Sequence, residues 1–162
     1  MVFNYFNIEY AIRIHDIIIE ISGGLVGVKT YGNLDSPLAH IENDDYYPTF
    51  EEKLNHLVFS FNKFHAFNDG NKRTSIAMGA FFLEINGLDF FVDKFIIEME
   101  NIAVTVADNI IDKEFLLEII TSIINEKEYN ESLKLKIFNA LSQVDPEKDQ
   151  LNIGVEFYKD LF

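Results

Sequence analysis

Apolar residues recur at three- and four-residue intervals along nearly the whole chain, a spacing that suits helices and little else. Residues 8–21 set Ala11, Ile12, Ile14, Ile18 and Ile21 near one face, and Ser22-Gly23-Gly24 follows with glycines able to take positive φ and stop the helix. Leu54, Leu57, Val58, Phe61 and Phe64 repeat the pattern behind Thr49-Phe50-Glu51-Glu52, a capping box with Thr at the N-cap and Glu three residues on. A third run starts at Gly70, continues through Ile76, Ala80, Leu83 and Ile85, and ends at Asn86-Gly87, a left-handed cap. Residues 93–108, 112–126 and 131–142 read as further helices, with Asp145-Pro146-Glu147 as a break before a last segment. With three prolines and eight glycines in 162 residues, few breaks are available, and the class is all-α.

The exceptions to the helical period are few. Residues 28–41 read as a loop with a short helix beginning near Asn33, and residues 42–48, acidic and aromatic with no period, as an exposed flap or a small β-hairpin. A chain of this length forms one domain that buries about two thirds of its unfolded surface without a metal or disulfide. Zero cysteines exclude disulfides, thiol nucleophiles and thiolate zinc sites, and the four histidines show no zinc-binding spacing. No apolar run near 18 residues and no signal-type N-terminus is seen, so a soluble cytoplasmic protein with no membrane partner is expected.

Residues 65–74, His-Ala-Phe-Asn-Asp-Gly-Asn-Lys-Arg-Thr, concentrate the chemistry. The helix that follows puts Gly70, Asn71, Lys72 and Arg73 on its first turn, where unpaired N–H groups and the positive end of the macrodipole favour anions. The chain carries 13 Lys+Arg against 27 Asp+Glu, a formal charge of −14, yet here Lys63, Lys72 and Arg73 oppose a single Asp69. Such a cationic island points to a small anionic ligand, and the acidic whole argues against a nucleic-acid groove. His65, just ahead of the turn, is placed to take a proton from a hydroxyl as it attacks phosphorus. Asp69 suits Mg²⁺, which takes one or two carboxylates plus phosphate oxygens. Lys72 and Arg73 can neutralise charge developing in phosphoryl transfer. The competing reading is a plain Asn-Asp-Gly turn with Asp69 as N-cap, against which stands the unfavourable placing of two cations on a helix's first turn.

Residues 65–75 followed by Ala80-Phe81-Phe82-Leu83-Glu84-Ile85-Asn86-Gly87 resemble the signature of the Fic/Doc (Fido) superfamily. The Fic pattern is His-Pro-Phe, two residues, Gly-Asn-Gly-Arg. The death-on-curing (Doc) branch has His-x-Phe-x-Asp, Ala or Gly, then Asn-Lys-Arg, and Lys72 follows the Doc branch. Gly23-Gly24-Leu25, residues 32–38 and Asn86-Gly87 are also similar to Doc, so the resemblance covers about residues 7–127, and the chain divides into a Fic/Doc-like segment 1–129 and a C-terminal helical extension 130–162 packed on the same domain. The resemblance implies a helical domain that binds ATP or another nucleoside triphosphate with Mg²⁺. His65 would be the base, Asp69 the metal ligand, Gly70, Asn71 and Lys72 the anion cradle, and Arg73 a phosphate contact. Asp44, Asp45, Tyr46 and Tyr47 would lie in the flap that docks a target protein. It further implies transfer of the γ-phosphoryl group to a target hydroxyl, with elongation factor Tu as target and a small Phd-like antitoxin as partner. AMP transfer of the Fic type is the alternative, and a non-catalytic nucleotide-binding helical protein the second.

Glu126 closes a Ser-x-x-x-Glu spacing from Ser122, the pattern of an inhibitory helix in some Fic proteins, although Lys127 breaks that pattern and an amphipathic helix yields the spacing by itself. Gly23, Gly24 and Gly27 lack the Lys-Ser/Thr of a P-loop and read as a cap and turn, and His15 and His56 as packing or surface residues.

Overall fold

The computed structural model describes residues 2–148 and 150–162. Within them the chain forms eight α-helices and no β-strand: α1 (Ile8–Ser22), α2 (Gly32–His40), α3 (Phe50–Lys63), α4 (Asn71–Ile85), α5 (Val92–Ala107), α6 (Lys113–Ile124), α7 (Glu131–Leu141) and α8 (Val155–Lys159). Polar side chains start half of them. Asn7, Thr49, Asp112 and Asn130 each accept a hydrogen bond from a first-turn N–H, and the capping box of Thr49 and Glu52 is complete.

Helix α4 is the hub, packed against α3, α5, α1 and α8. Its residues Thr74 to Ala80, Phe82 and Leu83 are all buried. A helix enclosed on so many sides needs small residues where its neighbours cross, and Gly79 meets that need. A Cβ there would lie 2.5 Å from Phe95 Cζ on α5 and 2.8 Å from Val58 Cγ2 on α3. The extension shares this core: Leu133, Ala140, Tyr158 and Leu161 join the apolar cluster, and Phe162 packs on Phe81.

The flap forms turns and no hairpin. Its acidic and aromatic side chains are drawn down onto α3. Asp44 pairs at 2.7 Å with Lys53, whose side chain is fully buried and also donates to the Ile41 carbonyl. Tyr47 stacks on His56 with ring centroids 4.3 Å apart. The Lys113 ammonium donates to His56 Nδ1 at 2.8 Å, so His56 keeps its proton on Nε2, facing His40 Nδ1 at 3.3 Å. Burial first, then the nearby Lys113 and His40 charges, push His56 down to about 4.

Two outcomes follow. Gly79→Ala should destabilise the fold by about 1–3 kcal/mol through overpacking, read as a lower urea midpoint. His56 titrates lower in the folded chain than in the unfolded one, so its stabilisation is complete above about pH 6.5 and lost as pH falls toward 4. The wild type should lose about 2 kcal/mol between pH 7 and 4.5, and His56→Gln should flatten that slope in urea titrations at each pH.

Candidate functional site

The α3–α4 connection places an irregular loop against the core, and most of its backbone polar groups between Phe67 and Gly70 find a partner. The Asn71 side chain closes the loop by accepting from the Phe67 N–H at 3.1 Å and donating to the Phe67 carbonyl at 3.0 Å. His15, fully buried on α1, donates from Nε2 to the Asp69 carbonyl at 2.7 Å. Its ring lies flat on Phe67, with 3.7 Å between centroids. Residues 26–30 run antiparallel to the loop. Lys29 and Thr30 N–H both reach the Ala66 carbonyl, the Asn68 N–H donates to Gly27, and Val28 bridges Phe67. Gly70 takes φ +76 as the N-cap of α4, a conformation that suits glycine.

Two of the groups that sequence reasoning assigned to phosphate are engaged otherwise. Both ends of the Asn71 side chain are spent on Phe67, so its contribution to an anion is its backbone N–H. Arg73 donates to Ser22 Oγ and to the Gly23 carbonyl, lies 3.7 Å from Asp69, and joins α1 to α4. Lys63 turns away altogether: its ammonium caps the C-terminal end of α5, donating to the Ala107 carbonyl and to the side-chain Oδ1 of Asn109. The local cationic character therefore rests on Lys72, which makes no ion pair among the described residues.

His65, Asp69, Gly70, Asn71, Lys72 and Arg73 line one cleft of about 660 Å³. The N–H groups of residues 71–73 have no helical acceptor, and the positive end of the α4 dipole faces this space. His65 is exposed and left-handed, at φ +48. Asp69 accepts from Gly70 N–H on Oδ1 and from Leu25 N–H on Oδ2. Partial burial raises its pKa, but those two backbone bonds and the charges of Arg73 and Lys72 outweigh it and hold the carboxyl below the usual range. A Cβ on Gly24 would stand 2.6 Å from Asp69 Oδ2, so glycine keeps the carboxylate accessible. A larger depression of about 760 Å³ between the N-terminal arm, α2 and α4 holds Tyr5, Phe6, Tyr10 and Phe81 but none of these groups.

The remaining candidates lie elsewhere. Asp44, Asp45, Tyr46 and Tyr47 sit on the α2–α3 turn, and Tyr46 is exposed. Glu126 does not line the cleft. It ends α6 in the left-handed conformation, with Glu126 N–H bonded to the Ile123 carbonyl and Lys127 N–H to that of Ser122. That is a Schellman cap, which accounts for the Ser-x-x-x-Glu spacing. Sequence reasoning missed His15, whose place on a helical stripe reads as packing, and Gly24 to Thr30, whose irregular backbone has no period. The glycines at 23, 24 and 27 were the available signal.

Comparison with known proteins places this geometry in context. The Fic/DOC family profile matches residues 5–83. Toxin Doc of Mycolicibacterium smegmatis is 41% identical over 80 residues, covering 44% of this chain and 62% of that protein. Protein kinase doc of Escherichia phage P1 is 32% identical over 87 residues, covering 51% of this chain and 68% of that protein. The chain thus spans just under two thirds of the first relative's length.

Asn71→Ala should remove both bonds to Phe67 and leave a part-buried N–H unpaired, costing about 1–3 kcal/mol in urea unfolding. Hydrogen exchange should quicken over residues 66–71 first.

Proposed function

The chain belongs to the Fic/Doc family, and from that premise we propose that it is a toxin-type transferase moving the γ-phosphoryl group of a nucleoside triphosphate to a hydroxyl of a target protein. Lys72 carries the choice of group. It occupies the second position of α4, on the cleft and without an ion pair among the described residues, and a long cation there takes the space and charge of one phosphate, deciding which phosphorus meets the nucleophile. The relative from phage P1 bears the name Protein kinase doc, in keeping with this reading.

His65 is the general base in this scheme. The target oxygen bonds to the γ-phosphorus as the bond to the β-phosphate oxygen breaks; the proton passes to the imidazole and the nucleoside diphosphate leaves. The N–H groups of residues 71–73 and the Lys72 ammonium bind the phosphates, and Arg73 contributes charge from its fixed position between α1 and α4. Asp69 fits a Mg²⁺ ligand. Its side chain is 44% exposed, it is held ionised, and each oxygen accepts one N–H and keeps a free lone pair. Among the described residues no cluster of three or more metal-binding side chains exists; Asp69 would hold Mg²⁺, which takes one or two protein carboxylates and would supply neutralisation of phosphate charge. The flap at Asp44 to Tyr47 presents exposed Tyr46 for docking the target. By family likeness the target is elongation factor Tu, and a Phd-like antitoxin is the natural restraint.

Incubation with Mg²⁺ and either γ- or α-labelled ATP, with elongation factor Tu as acceptor, tests the reading. Label is expected from the γ position alone, with a mass gain of one phosphate. Transfer from the α position only would mean AMP transfer and would overturn it. His65→Ala should cut transfer by about 10²-fold or more while ATP still binds; full activity in that variant would remove His65 as base.

A further inference from the structure

We propose that residues 150–154 form the second wall of the cleft, receiving the nucleobase and sugar of the ligand opposite the phosphate-binding turn of α4, and that Glu100 is the residue positioning this wall. The inference rests on the nucleotide reading above. It begins with a carboxylate in an unusual place. Glu100, on α5, is buried to 6% exposure and has no cationic partner among the described residues. A buried carboxyl group of this kind is sustained only when hydrogen bonds replace water. Here the replacement comes from a segment more than fifty residues away: Ile153 N–H donates to Oε2 and Gly154 N–H to Oε1, both at 2.8 Å.

The clamp fixes a short strap. Gly154, at φ +100, turns the chain into α8, whose Tyr158 is fully buried and anchors the downstream end. Upstream, Lys148 pairs with Asp108 at the end of α5 at 2.6 Å. Gln150, Leu151 and Ile153 line the same cleft as His65 and Lys72. Their chemistry is the opposite of the α4 side. Leu151 and Ile153, with Ala107, give an aliphatic surface, and Ile153 keeps 37% of its area exposed. The Gln150 amide offers one acceptor and two donors. Bare phosphate uses only the cationic side. A molecule with an anionic end and a flat apolar body edged with hydrogen-bonding groups uses both, and the cleft volume lies within the range of about 300–1,000 Å³ typical of small-molecule sites.

Calorimetric titration of the full chain with Mg-ATP and, separately, with Mg-tripolyphosphate tests the proposal. Leu151→Ala combined with Ile153→Ala should weaken ATP by about tenfold and leave tripolyphosphate unchanged. Glu100→Gln, which keeps one acceptor oxygen and loses the other, should shift the ratio of the two affinities in the same direction, raising KM for ATP more than it lowers kcat. A variant that merely misfolds would weaken both ligands together, and that result overturns the wall, as would tighter ATP binding, the mark of an obstructing strap. Should the wild type bind both ligands and transfer the γ-phosphate while the variants match it, the wall fails and the proposed function stands. Binding of neither ligand by the wild type would sink both.

Discussion

Everything at this site depends on one constraint: a loop of irregular backbone cannot lie against a helical core unless its N–H and C=O groups are paired. Residues 66–70 meet that constraint for most of their groups. The Ala66 carbonyl takes two N–H groups from residues 29 and 30, Phe67 is closed by Asn71, Asn68 N–H is taken by Gly27, the Asp69 carbonyl by His15, and the Gly70 N–H by the Asp69 carboxylate. The loop is therefore a rigid platform although it has no secondary structure. Because α1, the segment after it and α4 all contribute, the first turn of α4 and the side chains of His65 and Asp69 are held in one relative arrangement. That preorganisation is what the proposed transfer, acting by positioning and electrostatics, would require.

The same economy governs charge. In an acidic chain most cations near the core are committed to structure: Lys53 to the flap, Lys63 to the end of α5, Lys113 to His56 and Tyr47, Arg73 to the junction of α1 with α4. With those cations engaged elsewhere, fewer groups set the field at the α4 N-terminus. What remains is a helix dipole, three outward N–H groups and the ammonium of Lys72, opposed by a carboxylate kept ionised for its own purpose. A count of cations in the sequence therefore overstates the positive charge and mislocates part of it.

The helices were legible because each carries its own period and its own cap, both local properties of the chain. The capping box at Thr49, the stop at Asn86-Gly87 and the start of α2 near Asn33 all stand where the sequence placed them, to within a residue or two. Illegible features depend on partners distant in sequence. Nothing local marks His15 as the support under Asp69, since a helical histidine on an apolar stripe looks the same whether it packs or donates a hydrogen bond. Nor does anything local tell that Glu100 holds residues 153 and 154 or that Lys63 faces α5. The flap misled for a related reason: with no period of its own it takes its shape from Lys53 and His56, which lie on another element.

The left-handed residues separate structural caps from the candidate base. Asn109 and Glu126 adopt positive φ at the ends of α5 and α6, and each is compensated by the paired bonds of a Schellman cap, Ile110 to Thr105 and Asn109 to Val106 in the first case, Lys127 to Ser122 and Glu126 to Ile123 in the second. His65 occupies the equivalent position after α3, yet among the described residues neither cap bond forms there. A non-glycine residue in that region costs about 1–3 kcal/mol. At His65 the surrounding loop bonds sustain the conformation, and its effect is to turn the chain sharply from α3 toward the cleft while leaving the imidazole exposed beside Asp69 and Lys72. Strain that no cap relieves, retained at the one exposed histidine of the cleft, is better explained by where it puts that ring than by anything it does for the fold.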